Sequence, residues 1–243
     1  MRTPVSTGNG LFGELYLRST KPFLPEHVTR ADAEYLSARL AEHTVPGPVL
    51  DVGCGHGRHL HALKTSRFTV GLDLDALSLR EVKTPAVRAD FLKPPFRDGA
   101  FAVAYAWYNT LFTVEDERHA PLLHGLARCV RRGGLLILQG TNGAWARAQG
   151  TTLTHVPLAD GSRLTEHVRF NAERGRDEIE RRLELPDGRV MAASFFIRYY
   201  EVDALTRLLD DAGFTTMWVH GSLEGHPATE RSPDLIVGAV KRG

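Results

Sequence analysis

The reading of the fold turns on PVLDVGCGHGRHLHAL, residues 48–63. An apolar run meets an acid, Asp51, and glycine then stands at every second position, Gly53, Gly55 and Gly57, before a helix-forming tail. A strand that stops in a glycine loop and restarts as a helix lets a ligand approach the main chain closely and offers it unpaired N–H groups. The dinucleotide fingerprint G-x-G-x-x-G works this way, with a pyrophosphate on the helix N-terminus and a ribose-binding acid about 20 residues on. Here the spacing is G-x-G-x-G, and Arg58 holds the place of the third fingerprint glycine. Asp51, just ahead of the loop, would also repel a pyrophosphate.

Outward from the loop, strands and helices alternate. Residues 26–43 place Val28, Ala31, Tyr35, Leu36 and Leu40 near helical spacing, and PGP at 46–48 stops that helix. After the loop, RFTVGLDLD is a strand closing on Asp73, AVRAD a strand closing on Asp90, AFAVAYAW a buried strand ending at Trp107, and LLILQG another. The spacing predicts a helix over 116–132, closed by RRGG with Gly133 as its C-cap. Alternation of this kind means βαβ units and a parallel sheet. The rhythm changes over 162–200, where Leu164, Val168 and Phe170, then Ile179, Leu183 and Leu185, follow period two between turns at ERGRD and PDG. This predicts an antiparallel meander of about three strands. EVDALTRLLDDAGF then resumes as a helix, with two final strands near 214–220 and 234–241.

Composition narrows the function classes. The 30 Lys and Arg against 29 Asp and Glu, without a run of like charge, give no electrostatic footprint for nucleic acid. No apolar stretch approaches the roughly 18 residues of a membrane span, and the N-terminus carries no continuous apolar core of a signal peptide. Cys54 and Cys129, one in the loop and one in a helical stretch, make no disulfide framework and suit a reducing compartment. The expectation is a soluble, cytoplasmic protein. His56, His59 and His61 do not combine with Cys or carboxylate at a metal-site spacing, so no metal is expected.

A ligand with a cationic end and no phosphate suits Asp51 far better than a pyrophosphate. S-adenosylmethionine is such a ligand. VLDVGCGHGRH, VGLDLD, VRADFLKPPFRDGAFAV and CVRRGGLLIL, in this order and at this spacing across 48–140, resemble the class I S-adenosylmethionine-dependent methyltransferase family. The resemblance implies a doubly wound, seven-stranded, mostly parallel α/β sheet with its last strand antiparallel, helices on both faces and an antiparallel β insertion after the fifth strand. It implies a single domain over 1–243: a cofactor-covering segment and helix at 1–43, a cofactor-binding core at 44–150, the insertion at 151–200, and a C-terminal helix with the last two strands at 201–243. S-adenosylmethionine is the implied cofactor and S-adenosylhomocysteine its product.

Carried over position by position, Asp51, Gly53, Gly55 and Gly57 match the motif around the methionine portion. Asp73 matches the acid that accepts from both ribose hydroxyls, with Leu74 packing on the adenine. Asp90 matches the acid that binds the adenine amino group, with Phe91 flanking the ring. Asp75 is the better N-cap for the helix that follows. GELYLRSTKPFLPE, YNTLF, RYY and AGF further resemble a bacterial subgroup that methylates small molecules. By that likeness Tyr16 and Arg18 would close over the cofactor, Arg18 as a partner for its carboxylate. Arg58 and His56 either frame the methionine end or only begin the helix. Trp107, Tyr108 and Asn109 stand at the carboxyl end of a central strand, where open α/β sheets bind ligands, although aromatic residues there also serve as core.

Methyl transfer asks the protein mainly to desolvate and align, so no catalytic residue is certain. Tyr108 and Tyr199 are the candidates for orienting the acceptor, and each has an equal claim to packing. Tyr199 and Tyr200 point to opposite faces, so at most one would meet the acceptor. WYNTLF replaces the Asn/Asp-Pro-Pro-aromatic signature of enzymes acting on planar nitrogens, and no Cys matches the nucleophile of C5 methyltransferases. The sequence therefore points to methyl transfer onto an N or O nucleophile of a small molecule, with no nucleic acid and no membrane partner and the oligomeric state open. An NAD-dependent oxidoreductase and a non-catalytic cofactor-binding module are the alternatives.

Overall fold

The computed structural model describes residues 11–243, so the first ten residues of the segment read as a cofactor cover lie outside the described residues. The first helices among the described residues are the short α1 (Glu14–Ser19) and the long α2 (Glu26–Glu42). β1 (Val49–Val52), α3 (Arg58–Ala62), β2 (Thr69–Asp73), α4 (Ala76–Leu79), β3 (Ala86–Arg88) and β4 (Phe101–Ala106) follow. Next come α5 (His119–Cys129), β5 (Val130–Thr141) and α6 (Gly143–Gln149). The strands β6 (Thr152–Pro157), β7 (Arg163–Asn171), β8 (Arg176–Glu184) and β9 (Val190–Arg198) form the insertion, and α7 (Val202–Asp211), β10 (Phe214–His220) and β11 (Asp234–Lys241) end the chain.

The main sheet has seven strands in the order β10-β11-β5-β4-β1-β2-β3. β3, β2, β1, β4 and β5 are parallel, and β11 runs antiparallel between β5 and β10. The order reverses between β1 and β4, which opens a crevice at the carboxyl ends of those strands. Period two in β4 sorts its residues between the layers. Ala104 and Ala106 join Leu122, Leu126 and Leu209 of α5 and α7. Val103, Tyr105 and Trp107 instead join Tyr35, Leu36 and Leu40 of α2.

Two expectations are corrected. The helix predicted over 116–132 is a 3-10 turn followed by α5, which ends at Cys129, because Val130 is already paired with Phe101 of β4. The ladder then jumps to Val103 against Leu135, and Gly133, with φ of 71°, sits in that bulge rather than capping a helix. Sheet pairing has overridden the local helix signal. The insertion is a sheet of four strands, in the order β6-β7-β8-β9, rather than about three. β6 is an edge strand exposed at all but one of its residues, so it lacks the apolar alternation by which strands are recognised.

One face of this second sheet is apolar and is covered by the N-terminal helix. Leu15 of α1 packs with Leu164, Leu183 and Leu185. Leu11 and Tyr16 pack with Ile179 and Phe195. Arg181 of β8 fastens the two together: its guanidinium pairs with Glu166 and donates to the Ser19 and Thr20 hydroxyls at 3.1 and 2.6 Å. The two ends of the insertion meet at the carboxyl end of β5, where Asn142 bridges Tyr200 and the Gly143 N–H donates to the Tyr200 carbonyl at 3.0 Å.

Candidate functional site

β1 runs out into the glycine loop, which is laced to β2: the Gly53 and Cys54 N–H groups both donate to the Leu72 carbonyl, at 2.7 and 3.1 Å. A Cβ on Gly53 would collide with the Thr110 methyl, so the loop there touches the segment after β4. Gly55, with φ of 54°, has open space where a Cβ would stand. Its N–H donates to Asp73 Oδ2 at 2.7 Å, while Asp73 Oδ1 accepts from the Asp75 N–H at 2.8 Å. Asp73 thus shapes the loop with one lone pair of each oxygen and keeps the others. Burial pushes its carboxyl up.

Asp90 follows β3, and Ala89 N–H donates to the Asp73 carbonyl at 2.9 Å, so the two acids stand at neighbouring strand ends. Asp90 Oδ1 holds the Leu92 N–H at 2.8 Å. Leu74 and Phe91 beside them are half-buried, and Phe91 packs against the core. Asp75 caps α4, accepting from Leu77 and Ser78 N–H.

At the other end of the loop two side chains of opposite charge each leave one atom without a partner. Asp51 is 2% exposed and its Oδ2 is left without a partner; burial pushes its carboxyl up to about 7 against the Tyr105 hydroxyl first and then the pull of Arg58. The Arg58 side chain is 10% exposed, and its Nη1 donates to Asp32 Oδ2 at 2.8 Å and to Thr29 Oγ1 at 3.3 Å, whereas its buried Nη2 has no partner. The guanidinium lies 4.7 Å from the centroid of the Tyr108 ring. His59 Nε2 is 3.3 Å from the same Asp32 oxygen, and burial pushes the imidazole down to about 4, so it is neutral at physiological pH. Asp32 went unread in the sequence. The available signal was its place on the apolar stripe of α2, four residues after Val28 and four before Leu36.

The remaining sequence-derived residues divide. Tyr16 reaches from α1 toward the loop, near enough that Arg58 and Asp73 both act on its hydroxyl, whose pKa burial raises. Arg18 does not join it. Two positions apart on a helix, the side chains diverge by about 200°, and Arg18 pairs with Glu14 at 2.9 Å and lies 3.7 Å from Asp160. Trp107, read as a cofactor contact, is core: 4% exposed, its ring is 5.9 Å from both Tyr35 and His59, on the β4 face turned to α2. Tyr199 is also tied down, its hydroxyl donating to Asp177 Oδ2 at 2.9 Å, and Tyr200 meets His119 Nδ1 at 2.7 Å. His56 is half-buried with its Nδ1 unpartnered. Among the described residues no cluster of His, Cys, Asp and Glu could hold a metal ion.

Tyr108 and Asn109 both adopt left-handed backbone, with φ of 55° and 56°. Non-glycine residues there are strained and concentrate at functional sites. Side-chain bonds hold the pair in place. Tyr108 N–H donates to Gln139 Oε1 at 2.7 Å, and Asn109 Oδ1 accepts from Thr141 N–H at 2.9 Å. Gln139 Nε2 in turn donates to Asp234 Oδ1 at 2.9 Å. Tyr108 itself is 44% exposed.

This arrangement fits an adenosyl amino acid. The unpartnered Asp51 oxygen and Arg58 nitrogen match an ammonium and a carboxylate, and the space over Gly55 leads toward two acids at adjacent strand ends. Comparisons with known proteins agree. Residues 49–134 match the family model described as a methyltransferase domain. The chain is 30% identical over 203 residues to the cypemycin N-terminal methyltransferase of a Streptomyces species, covering 78% of this chain and 81% of that one. In structure it resembles the CcbJ methyltransferase of Streptomyces caelestis, with a TM-score of 0.79 at 19% identity, covering 97% and 98% of the two chains. It also resembles the sugar N-methyltransferase KedS8 of a Streptoalloteichus species, with a TM-score of 0.72 at 18% identity, covering 96% and 94%. The chain belongs to the S-adenosylmethionine-dependent methyltransferases, and its cofactor is S-adenosylmethionine. The dinucleotide reading of the loop is thereby displaced.

Proposed function

We propose that this enzyme transfers a methyl group to an N or O nucleophile of a small molecule, and that its walls favour nitrogen. The observation that carries the choice is Asp234. It stands at the start of β11 beside the end of β5, with one oxygen held by Gln139, whose other amide atom fixes the Tyr108 backbone. Burial raises its pKa, and the charges of Asp32 and Glu224 raise it further. Such a carboxylate pairs with an acceptor ammonium and receives its proton, leaving the neutral amine that methyl transfer requires. A hydroxyl acceptor would need a stronger base.

In the same reading Asp51 and Arg58 hold the amino-acid end of the cofactor, Asp73 its ribose and Asp90 its adenine, with Tyr16 closing from above and Leu74 and Phe91 beside the ring. Bound S-adenosylmethionine supplies an electrophilic methyl group on a sulfonium. The protein orients the acceptor with the Tyr108 side chain and excludes water with α1 and the insertion sheet, which serve as the roof of the site. The names of the relatives, an N-terminal and a sugar N-methyltransferase, support an amine. Among the described residues no helix is long and apolar enough to cross a membrane, and a cytoplasmic location, with no nucleic acid partner, goes with this reading.

The test is transfer of labelled methyl from S-adenosylmethionine to glucosamine and trialanine amide, beside their N-acetylated forms and glucose. Label in the free amines alone is expected. Equal label in glucose and the acetylated compounds would refute the preference for nitrogen.

A further inference from the structure

The register of the insertion sheet sorts its inner face into cross-strand rows. Leu164 and Leu183 stand in one row, Glu166 and Arg181 in the next, Val168 and Ile179 in the third, and Phe170 and Asp177 in the fourth, which Ile197 of β9 completes. Residues two apart on a strand share a face, and this is the face that Leu11 and α1 cover over the first three rows. Tyr16 packs on the same cluster as Ile197. Its hydroxyl, raised in pKa by burial, lies within reach of the Arg58 and Asp73 charges on the loop side and of Arg181 on the sheet side. The inner face therefore looks across Tyr16 at the glycine loop. In its fourth row, at the end where the chain returns to β5 through Tyr200, an acid takes the place of an apolar side chain.

Asp177 is half-buried there, between Phe170 and Ile197. Glu166, the other acid of this face, is neutralised by Arg181. Among the described residues no cation pairs with Asp177; its Oδ2 accepts from the Tyr199 hydroxyl at 2.9 Å, and its Oδ1 accepts no hydrogen bond. Burial pushes its carboxyl up, the bond from Tyr199 draws it back, and the Glu166 charge adds to the rise. A carboxylate drawn partly out of water beside apolar neighbours, with one oxygen unspent, is costly until a ligand cation meets it. We propose that Asp177 is a specificity-determining residue that binds a second ammonium of the acceptor, remote from the nitrogen that is methylated, and that Tyr199 is a positioning residue acting through it. The proposal rests on the reading of this enzyme as one that methylates an amine beneath the insertion sheet. The acceptor is then a diamine in its chemistry. One nitrogen gives its proton to Asp234 and bonds the methyl carbon with the freed lone pair, the carbon–sulfur bond breaking to leave a thioether; the other nitrogen stays charged against Asp177. A phenol serves this acid better than an arginine would, because it fixes one oxygen and leaves the charge for the ligand.

The experiment measures kcat/KM on the full chain for putrescine, cadaverine and hexamethylenediamine beside butylamine, pentylamine and hexylamine, at saturating S-adenosylmethionine. The wild type should prefer a diamine over its matched monoamine by about 10- to 100-fold, the worth of a charge-assisted hydrogen bond, and the difference should lie in KM rather than kcat. Asp177→Asn, which keeps the shape, should abolish that preference, and Asp177→Glu, which keeps the charge, should retain part of it. Tyr199→Phe should lower the preference by a smaller factor and, added to Asp177→Asn, should change nothing more. Calorimetry of each diamine into the complex with S-adenosylhomocysteine should show the same order, and undiminished S-adenosylhomocysteine affinity certifies the fold of each variant. A wild type without diamine preference at every chain length, or a preference that survives Asp177→Asn, would overturn the ammonium subsite. A Tyr199→Phe effect that persists beside Asp177→Asn would overturn the positioning role. Transfer to none of these amines by a wild type that binds S-adenosylhomocysteine would instead refute the amine reading on which the proposal rests.

Discussion

Asp51 makes cofactor affinity depend on pH in a way that can be worked out in advance. Buried without a partner on Oδ2, its carboxyl titrates at about 7 in the unliganded protein. If it receives the ligand ammonium it must be ionised when bound, so below pH 7 binding has to expel a proton. Linkage then gives about a tenfold loss of affinity per pH unit below 7 and a plateau above it, which between pH 7.5 and 5.5 is about 25-fold, or about 2 kcal/mol. His59, which titrates at about 4, stays neutral across that window. The same group acts on stability with the opposite sign. Its folded pKa lies above the unfolded value of 3.8, so the native state binds the extra proton between pH 4 and 7 and loses stability as pH rises through that range, by at most about 4 kcal/mol. The assay is calorimetric titration of S-adenosylhomocysteine at several pH values, for the wild type and Asp51→Asn. The variant should bind weakly at pH 7.5, show no steep dependence below 7, and unfold with less decline in midpoint from pH 4 to 7. A wild-type affinity that is flat from pH 5.5 to 7.5 would refute the pairing of Asp51 with the ammonium.

Two further perturbations probe the walls. Asn109→Ala removes the acceptor that holds Thr141 N–H and leaves alanine at a φ of 56°; chemical denaturation should show a loss of about 2–3 kcal/mol, and methyl transfer should slow as Tyr108 loses its neighbour, so full stability with full activity would contradict the account of the strained pair. Arg181→Ala cuts the hydrogen bonds from β8 to Ser19 and Thr20; limited proteolysis should then cleave near α1 faster than in the wild type while β1 to β5 stay intact, and an unchanged cleavage pattern would mean that α1 is held by its apolar face alone.

The strands, the glycine loop and the placing of its acids were legible because those signals are local. A loop glycine and an acid at the end of each of three successive strands are short-range features, and Asp51, Asp73 and Asp90 do stand at the ends of β1 and β2 and just beyond β3. What escaped the sequence depends on contacts between distant segments. Asp32 and Arg58 are 26 residues apart, Tyr108 and Gln139 are 31 apart, and Gln139 and Asp234 are 95 apart. Nothing near any of them announces its partner. Arg18 and Trp107 illustrate the converse: both have the right chemistry, but helical rotation turns one away and strand alternation buries the other. The first strand of the insertion, β6, was hidden because an exposed edge strand carries no apolar pattern to read.

The insertion leaves the main sheet at Asn142 and returns at Tyr200, and these two residues are bridge partners, with the Gly143 N–H next to Asn142 donating to the Tyr200 carbonyl. A segment whose ends already touch adds little closure entropy to the core whatever its length, so it can be lengthened, shortened or exchanged while the seven-stranded sheet stays as it is. Selection for a new acceptor can therefore act on this one cassette and on the helix clasped to it. An engineer could do the same, grafting the roof of another methyltransferase between these two residues and leaving the cofactor machinery untouched.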